Sequence, residues 1–293
     1  MIIINQQSKF KIFDAHLHTY GKFLSPDNNV LEYMDRFNIE KAIITTINRA
    51  KFFQKNDKSG NINPLENNMA DILKNFKKVM LKGQLPHQDV IDIANKAPER
   101  FYKLFWFNPK LEPEEEESNY KILEEHFKKG FCGVKIHNIF HMFRVPKDVL
   151  KLVSFIQEYN KNLILFIHSA PDTSFFKGIS CRDIAKLAKN QEFQGLRIIV
   201  GHAAYCMEYS MDVVFNLKKF KNVYFETSAS ASFGIYNIFK AVGSKRILFG
   251  SDSPVVSPIQ LEIDKILTLP ITNEQKQDIF YNNVNRLLEF CQT

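Results

Sequence analysis

The chain has 293 residues, of which 45% are hydrophobic and 27 are phenylalanine, and its formal net charge is +7. This length and apolar content suit one large α/β domain with a substantial core, because a barrel of eight β/α units needs about 250 residues. No apolar run approaches the ~20 residues of a membrane span, and no nucleic-acid motif or arginine-rich stripe accompanies the charge, so neither a membrane nor a nucleic-acid partner is expected.

Strand-like and helix-like segments alternate along the chain, which predicts a single domain over residues 1–293. Eight segments are near-continuous runs of Val, Ile, Leu and Phe, the pattern of buried parallel strands. Eight such strands with helices between them predict an α/β fold, the (β/α)8 or TIM barrel. The predicted strands cover residues 10–14, 41–47, 102–107, 132–136, 163–167, 196–200, 223–226 and 247–250.

The longest segment without an obvious strand covers residues 49–97, between the second and third strands. Loops that follow barrel strands build the substrate pocket, so this segment is a candidate lid insertion. An ordinary surface insertion is an equal alternative.

Two helices carry clear end signals. In residues 113–130, Pro113 and several glutamates begin the helix, lysines end it and Gly130 caps it. The closing helix is predicted over residues 272–290, where Thr272 and Gln275 fit a capping box.

Five of the eight histidines lie at or just past the ends of predicted strands. The carboxyl ends of barrel strands form the catalytic face, so these segments predict one cluster of imidazoles and a carboxylate. Such a cluster is suited to binding a divalent metal and activating water. The segments are FDAHLH, GVKIH, LILFIH, RIIVGH and RILFGSD, and they contain His16, His18, His137, His168, His202 and Asp252.

The spacing of these residues predicts a set of metal ligands. His16 and His18 are two residues apart in an extended segment, so their imidazoles point to the same side and can reach one ion. His168 supplies a third nitrogen from the fifth strand, and Asp252 supplies a carboxylate from the eighth. Three or four nitrogen and oxygen ligands with an open position are what catalytic zinc requires, so zinc is the favoured cation.

The cysteines predict a reducing environment. Cys132, Cys181, Cys206 and Cys291 are far apart, and the chain has neither a C-x-x-C motif nor a signal-peptide pattern. We therefore expect a cytoplasmic protein whose cysteines are buried for structural reasons.

The expected partner is a small-molecule substrate, and the net charge favours one that bears a carboxylate or phosphate. A homo-oligomer is left open.

Taken together, these motifs resemble the amidohydrolase superfamily, in particular its amidohydrolase-related (amidohydrolase 2) branch of metal-dependent hydrolases and decarboxylases. The resemblance covers nearly the whole chain, and the ordered set ending in FGSD-x-P is its most specific part. It implies the same ligand set. It also implies that His202 polarises the substrate carbonyl or transfers a proton, and that Asp252 takes the proton of the attacking water. The segments that carry it are DAHLH, GVKIH, FIHSA, VGHAA, NVYFETSAS, ILFGSDSP and NNVNRLL.

Several further residues keep alternative interpretations. Lys135 could be carbamylated and bridge a second metal, as in some members of the superfamily, although a lysine held by a neighbouring carboxylate is the favoured alternative. His137 is a candidate second-metal or substrate contact, with a structural role equally open. Asp14 either orients a ligand or only ends its strand. Arg144 could anchor a substrate carboxylate, and Glu226 stands where relatives often carry an acidic residue.

Two activities fit this site. The main hypothesis is hydrolysis of an amide, ester or lactone bond of a small substrate by metal-activated water. The alternative is metal-dependent non-oxidative decarboxylation of an aromatic or unsaturated acid, and the motifs do not choose between them. A barrel that has lost activity and serves as a binding protein is disfavoured by the intact ligand set.

Overall fold

A computed structural model of the chain describes residues 9–24, 29–47, 84–172, 178–193 and 195–289. Its eight parallel strands form one sheet in which each strand pairs with the next along the chain. They are β1 Ile12–His18, β2 Ile39–Thr45, β3 Phe101–Trp106, β4 Phe131–His137, β5 Ile164–His168, β6 Arg197–Gly201, β7 Val223–Glu226 and β8 Ile247–Leu248.

The sheet closes on itself where the segment after β8 meets β1. The backbone N–H of Ala15 donates to the carbonyl of Phe249, that of Asp252 to His16, and that of His18 to Ser253, each over 2.8 Å. These bonds draw Asp252 beside the histidines of β1. The chain is therefore the predicted (β/α)8 barrel of the α/β class.

Helices connect the strands around the outside of the barrel. The capping box of Thr272 and Gln275 is present at the start of α10. The helices are α1 Val30–Arg36, α2 Gln88–Ala94, α3 Pro113–Lys128, α4 Asn138–His141, α5 Leu150–Tyr159, α6 Cys181–Ala188, α7 Met207–Leu217, α8 Ser232–Val242, α9 Ile259–Leu267, α10 Asn273–Gln277 and α11 Asn283–Leu288. Among the described residues, no helix is both long and apolar enough to cross a membrane.

The predicted strand ends need correction at the histidines. β1 extends to His18, β4 to His137 and β5 to His168, so these side chains belong to the last residues of the strands and not to the loops beyond them. Their backbones remain in the ladder, where His137 pairs with His168. A search for apolar runs ends such strands too early, because it stops at the first polar side chain.

The predicted closing helix is interrupted. A π-helical turn, Asp278–Asn282, separates α10 from α11. The Asp278 carboxylate accepts hydrogen bonds from Ser244 and Asn282 at this turn. A pattern with a period of 3.6 residues does not reveal the extra residue that such a turn contains.

Most of the candidate lid insertion, residues 49–83, lies outside the described residues. Within the described remainder, the Asp89 carboxylate of α2 accepts hydrogen bonds from Thr19 over 2.5 Å and from Thr46 over 2.9 Å. These contacts tie the start of α2 to the ends of β1 and β2.

The barrel interior is filled below the catalytic end. Buried side chains from β1, β3 and β5, among them Phe13, Leu104, Ile164 and Phe166, pack together inside the sheet. The ring of His16 packs on Phe166 with 4.7 Å between the ring centroids. The apolar interior therefore ends at the histidines, which form its upper layer.

Candidate functional site

Two imidazoles and one carboxylate converge at the carboxyl end of the barrel. The Oδ1 atom of Asp252 lies 3.3 Å from Nε2 of His16 and 3.0 Å from Nε2 of His18. All three side chains are buried, and their ligand atoms lie within 4.8 Å of one another. The structure thus brings together three of the four residues predicted to bind the metal.

Hydrogen bonds on the far side of each ring indicate which nitrogen carries the proton. Nδ1 of His18 lies 3.1 Å from the carbonyl oxygen of Thr46, which can only accept. Nδ1 of His16 lies 3.2 Å from Ser228 Oγ, whose hydroxyl donates to Glu226 Oε2, and 3.4 Å from that carboxylate oxygen itself. Both Nδ1 atoms therefore donate, and both Nε2 atoms turn a lone pair toward Asp252. Lone pairs facing a carboxylate at these distances require a proton or a cation between them, so the donor set fits a divalent metal.

The side chain of Lys135, on β4, reaches the same point. Its Nζ lies 2.7 Å from Nε2 of His16 and 3.1 Å from Nε2 of His18. The ammonium also lies over the ring of Trp106, 4.8 Å from the centroid. Burial lowers the pKa of Lys135 to about 8, although the charges of Asp252 and Glu226 act in the opposite direction. Lys135 and a metal would compete for the same two lone pairs.

The predicted fourth ligand, His168, contacts the group of His16, His18 and Asp252 only through His202. Its Nδ1 is 2.9 Å from Nε2 of His202, which is in turn 3.7 Å from Oδ2 of Asp252. Among the described residues, His168 belongs to no group of three ligand atoms within 4.8 Å of one another. His202 therefore lies between His168 and the carboxylate.

The backbone is strained at two of these residues. His202 has a φ of 56° and Asp252 a φ of 51°, in the left-handed region that residues other than glycine seldom adopt. Such conformations persist where the surrounding structure enforces them, and they are often found at functional sites.

Burial sets the ionisation of the cluster. It lowers the pKa values of His16, His137 and His168, and that of His18 to about 3, with the charge of Lys135 adding to each shift. At neutral pH these rings are therefore neutral, as metal ligands must be. Burial alone would raise the pKa of Asp252, but positive charge on the facing imidazoles, which a proton or a bound cation between the groups would supply, outweighs it and holds this pKa well below its usual range.

Glu226, for which the sequence indicates no definite role, is buried behind the imidazoles. One of its oxygens, Oε2, accepts hydrogen bonds from the backbone N–H of His202 over 3.1 Å and from Ser228 Oγ over 2.9 Å. Ligand-type atoms of His16, His202 and Glu226 also lie within 4.8 Å of one another. A Cβ on Gly250 would lie 2.1 Å from Glu226, so only glycine fits there. An acidic residue ending a buried strand was the only sequence signal.

Asp14 acts on the backbone beneath the site. Its carboxylate accepts hydrogen bonds from the N–H groups of His16, over 2.9 Å, and Ser251, over 3.0 Å, and from the Ser251 hydroxyl. Burial raises the pKa of Asp14 to about 8. The side chain therefore joins β1 to the segment after β8 and contacts neither imidazole by hydrogen bonding.

His137 and Arg144 lie away from the carboxylate of Asp252. The ring of His137 is stacked between Trp106, at a centroid distance of 5.1 Å, and His168, at 3.5 Å. Its Nδ1 is buried and has no hydrogen-bond partner among the described residues. Arg144 is exposed, and its backbone N–H donates to Asp148.

A cavity of about 240 Å³ opens onto the site. His168, His202 and Asp252 form its polar wall, and most of the remaining lining is apolar. A molecule in the cavity would reach an ionised carboxylate and two imidazoles together. The other lining residues are Ile139, Ser169, Ala170, Pro171, Tyr205, Ala229 and Val256.

The chain is similar to known proteins in family and in fold. A family model described as amidohydrolase matches residues 65–290. No curated protein matches the sequence. At the 12–16% identities found for the solved structures below, likeness shows the fold alone.

Three solved structures have the same fold over nearly the whole chain. An uncharacterised TIM-barrel protein from Bordetella bronchiseptica has a TM-score of 0.68 and 14% identity, covering 97% of this chain and 100% of its own. Dihydroxybenzoic acid decarboxylase from Polaromonas sp. JS666, with bound manganese and 2-nitroresorcinol, has a TM-score of 0.62 and 16% identity, with coverages of 96% and 97%. A putative 2-pyrone-4,6-dicarboxylic acid hydrolase from Pseudomonas putida has a TM-score of 0.60 and 12% identity, with coverages of 96% and 98%.

Proposed function

The chain belongs to the amidohydrolase family, and from that membership we propose that it is a metal-dependent hydrolase of an amide, ester or lactone bond in a small substrate. The observation that carries the proposal is the convergence of two Nε2 lone pairs on the ionised carboxylate of Asp252. Asp252 and His202 also line the cavity, where a substrate can reach them.

A divalent cation, with zinc favoured, would be held by His16, His18 and Asp252, and by His168 as the fourth ligand. When bound, such a cation supplies Lewis-acid polarisation and lowers the pKa of a water ligand. The neutral imidazoles and the ionised carboxylate are in the protonation states that coordination requires.

Asp252 and His202 would carry the proton transfers. The pKa of Asp252 is low enough for it to be ionised at neutral pH, so it can accept the proton of the attacking water. Nε2 of His202 points toward His168 at the cavity wall, where it can polarise a substrate carbonyl or pass a proton to the leaving group. The apolar walls would hold the rest of the substrate and exclude bulk water.

Lys135 and His137 keep a second-metal or substrate role in this proposal. The Nζ of Lys135 draws on the same lone pairs as the cation, so metal binding requires the amine to turn away or to lose its positive charge. Carbamylation would remove that charge and provide two oxygen ligands. Arg144 is the weaker candidate for substrate binding, because its side chain is exposed and absent from the cavity wall.

Decarboxylation of an aromatic or unsaturated acid is the second candidate. The decarboxylase structure with bound manganese supports it through the shared fold, and the largely apolar cavity suits a planar ring. The neutral imidazoles and the ionised carboxylate of Asp252 are compatible with both reactions.

We also propose a cytoplasmic location, which the free thiols of Cys181 and Cys206 support.

The decisive experiment measures products from metal-loaded protein. Panels of esters, lactones, amides and hydroxybenzoic acids are incubated with the zinc and manganese forms, and acid release and carbon dioxide release are followed separately. Metal-dependent acid release that disappears in Asp252→Asn supports hydrolysis. Carbon dioxide release from the aromatic acids would transfer the assignment to decarboxylation. Product formation that persists unchanged in metal-free protein would refute both.

A further inference from the structure

Three flat side chains form a stacked column at the catalytic end of the barrel. They stand at the carboxyl ends of neighbouring strands: Trp106 ends β3, His137 ends β4 and His168 ends β5. The rings of Trp106 and His137 are nearly parallel, at 6° and 5.1 Å between centroids, and those of His137 and His168 lie at 15° and 3.5 Å. We name these three residues the aromatic column.

The strand register explains why the aromatic column forms. His137 and His168 are direct partners in the parallel ladder of β4 and β5, so their side chains leave the sheet on the same side. Trp106 pairs with Lys135, which is two residues before His137 and therefore on the same side of β4. Neighbouring strands lie about 4.8 Å apart, a spacing at which flat rings on one side of a sheet can stack.

Hydrogen bonds hold the outer end of the aromatic column in place. The indole Nε1 of Trp106 donates to Nε2 of His141 over 3.1 Å, and the backbone N–H of Trp106 donates to Nε2 of His87 over 2.7 Å. The indole is also buried. The aromatic column therefore has a fixed indole at one end, and at the other end the ring of His168 lines the cavity.

The stack limits a rotation of His168 that its strand does not fix. Rotation of an imidazole about its Cβ–Cγ bond has only broad preferences, so the backbone alone leaves the plane of the ring loosely defined. The flat ring of His137, at a centroid distance of 3.5 Å, allows His168 to slide within its plane and opposes tipping out of it. The indole of Trp106 holds the other face of His137 in the same way.

A hydrogen bond then sets which nitrogen of His168 carries the proton. Nδ1 of His202 lies 3.1 Å from the carbonyl oxygen of Ser228, which can only accept, so a neutral His202 has its lone pair on Nε2. That Nε2 lies 2.9 Å from Nδ1 of His168, which must therefore be the donor. His168 is left with a lone pair on Nε2, as His16 and His18 are.

We propose that Trp106 and His137 are positioning residues, whose stack holds His168 in the plane in which its Nδ1 meets His202 and its Nε2 lone pair is available to a cation. Coordination by His168 rests on the proposed function, whereas its ring plane and its tautomer do not. The role uses the face of the His137 ring. It therefore differs from a second-metal or substrate role, which would need one of the ring nitrogens.

Nitrogen NMR of the metal-free protein with isotope-labelled histidine tests the positioning role directly. At about pH 8 free imidazoles are neutral, and the shifts of the two ring nitrogens report the tautomer. We expect His168 to be protonated at Nδ1 in the wild type, to be a mixture of tautomers in His137→Ala, and to return to the Nδ1 form in His137→Phe, which restores a flat ring.

Three results of this experiment would overturn the proposal. The first is a wild-type His168 that carries its proton on Nε2. The second is a His137→Ala protein in which His168 keeps the wild-type tautomer. The third is a His137→Phe protein that behaves as His137→Ala does, because a nitrogen of His137 would then be required.

Zinc titration of the same proteins tests the consequence for the proposed metal site. We expect the dissociation constant for zinc to rise by about 10- to 100-fold in His137→Ala, the usual effect of losing a residue that orients a metal ligand, and to recover in His137→Phe. If the tautomer changes in His137→Ala but the zinc affinity does not, the positioning role stands and His168 is not a ligand. A wild type that binds no zinc would refute the proposed function without altering the NMR result.

Two further variants complete the test. Trp106→Leu should shift the tautomer of His168 in the same direction as His137→Ala, because leucine offers no flat face to His137; a wild-type tautomer in this variant would overturn the role of Trp106. Phe155→Ala is the matched control, since it removes a ring that stacks on Phe127 between the outer helices α3 and α5. It should change neither the tautomer nor the zinc affinity. Circular dichroism and thermal melting establish that each variant is folded.

Discussion

Glu226 Oε2 lies 3.4 Å from Nδ1 of His16, and it is the only carboxylate oxygen found against that nitrogen among the described residues. Together with Ser228 Oγ, which lies 3.2 Å from Nδ1 and donates its own proton to Glu226, this oxygen keeps the proton of His16 on Nδ1 and leaves the Nε2 lone pair available to a cation. A carboxylate behind an imidazole also increases the basicity of the ligating nitrogen. The residue that the sequence left without a role thus acts on a predicted metal ligand.

Glu226→Gln tests this relationship. The substitution preserves shape but removes the negative charge, so we expect metal affinity to fall by about 10- to 100-fold. Calorimetric titration with zinc measures the change. Glu262→Gln is the control, because Glu262 is a buried carboxylate that pairs with Lys265 on α9. Equal affinities for the two variants would contradict the orienting role of Glu226.

Asp252→Asn should reduce turnover by about 10²–10⁴-fold, because the amide keeps the shape of the side chain but cannot accept the proton. The measurement is kcat on the substrate found by product screening, together with a thermal melt. Asp278→Asn provides the comparison, because this carboxylate accepts a hydrogen bond from Ser244, which precedes β8 and so lies at the opposite end of the barrel. Near-normal kcat in Asp252→Asn would refute the proposed proton transfer.

His202→Asn should abolish turnover while leaving metal content nearly intact, since we assign His202 to proton transfer and not to coordination. Elemental analysis of the purified variant gives the metal content. Loss of metal would instead make His202 a ligand. The proximity of His202, His16 and Glu226 would then define a second metal position.

Lys135→Met distinguishes a competing amine from a bridging carbamate. With the ammonium removed from the two Nε2 atoms, we expect tighter binding of one metal ion at unchanged stoichiometry. The readout is metal titration followed by elemental analysis. A fall in the number of bound ions would show that a carbamylated Lys135 bridges two of them.

His87 should make the fold sensitive to acid. Its Nε2 accepts the backbone N–H of Trp106 over 2.7 Å, and burial lowers the pKa of His87 to about 3. The unfolded chain takes up a proton near pH 6.5, well above this folded pKa, so the stability due to neutral His87 is present above pH 6.5 and is lost as pH falls toward 3. We expect the free energy of unfolding of His87→Gln to decline less than that of the wild type over this range. Parallel declines in urea titrations would rule out this contribution.

The strand order and much of the site could be predicted from the sequence. Apolar runs located all eight strands, because buried parallel strands need apolar side chains on both faces. The alternation of side chains indicated that His16 and His18 share one side. The motif after the eighth strand indicated that Asp252 lies at the same end of the barrel.

Local pattern could not give the contacts across the barrel. The sequence predicted His168 beside Asp252, whereas the structure places it against His202 and His137. Whether Lys135 reaches His16 depends on the tilt of β4 relative to β1, and these strands are 119 residues apart in the chain. The left-handed backbone of His202 and Asp252 could not be predicted either, because residues other than glycine seldom adopt it and no local pattern requires it here.

The sequence by itself determined which residues stand at the carboxyl ends of the strands, since burial and alternation are properties of each strand taken alone. Only the tertiary structure decided which nitrogen faces which oxygen. It also decided that the amine of Lys135 approaches the imidazoles and that the carboxylate of Glu226 lies behind His16. These relationships join different strands, and strand tilt and barrel closure fix them at distances of about 3 Å, the scale on which hydrogen bonds form or fail.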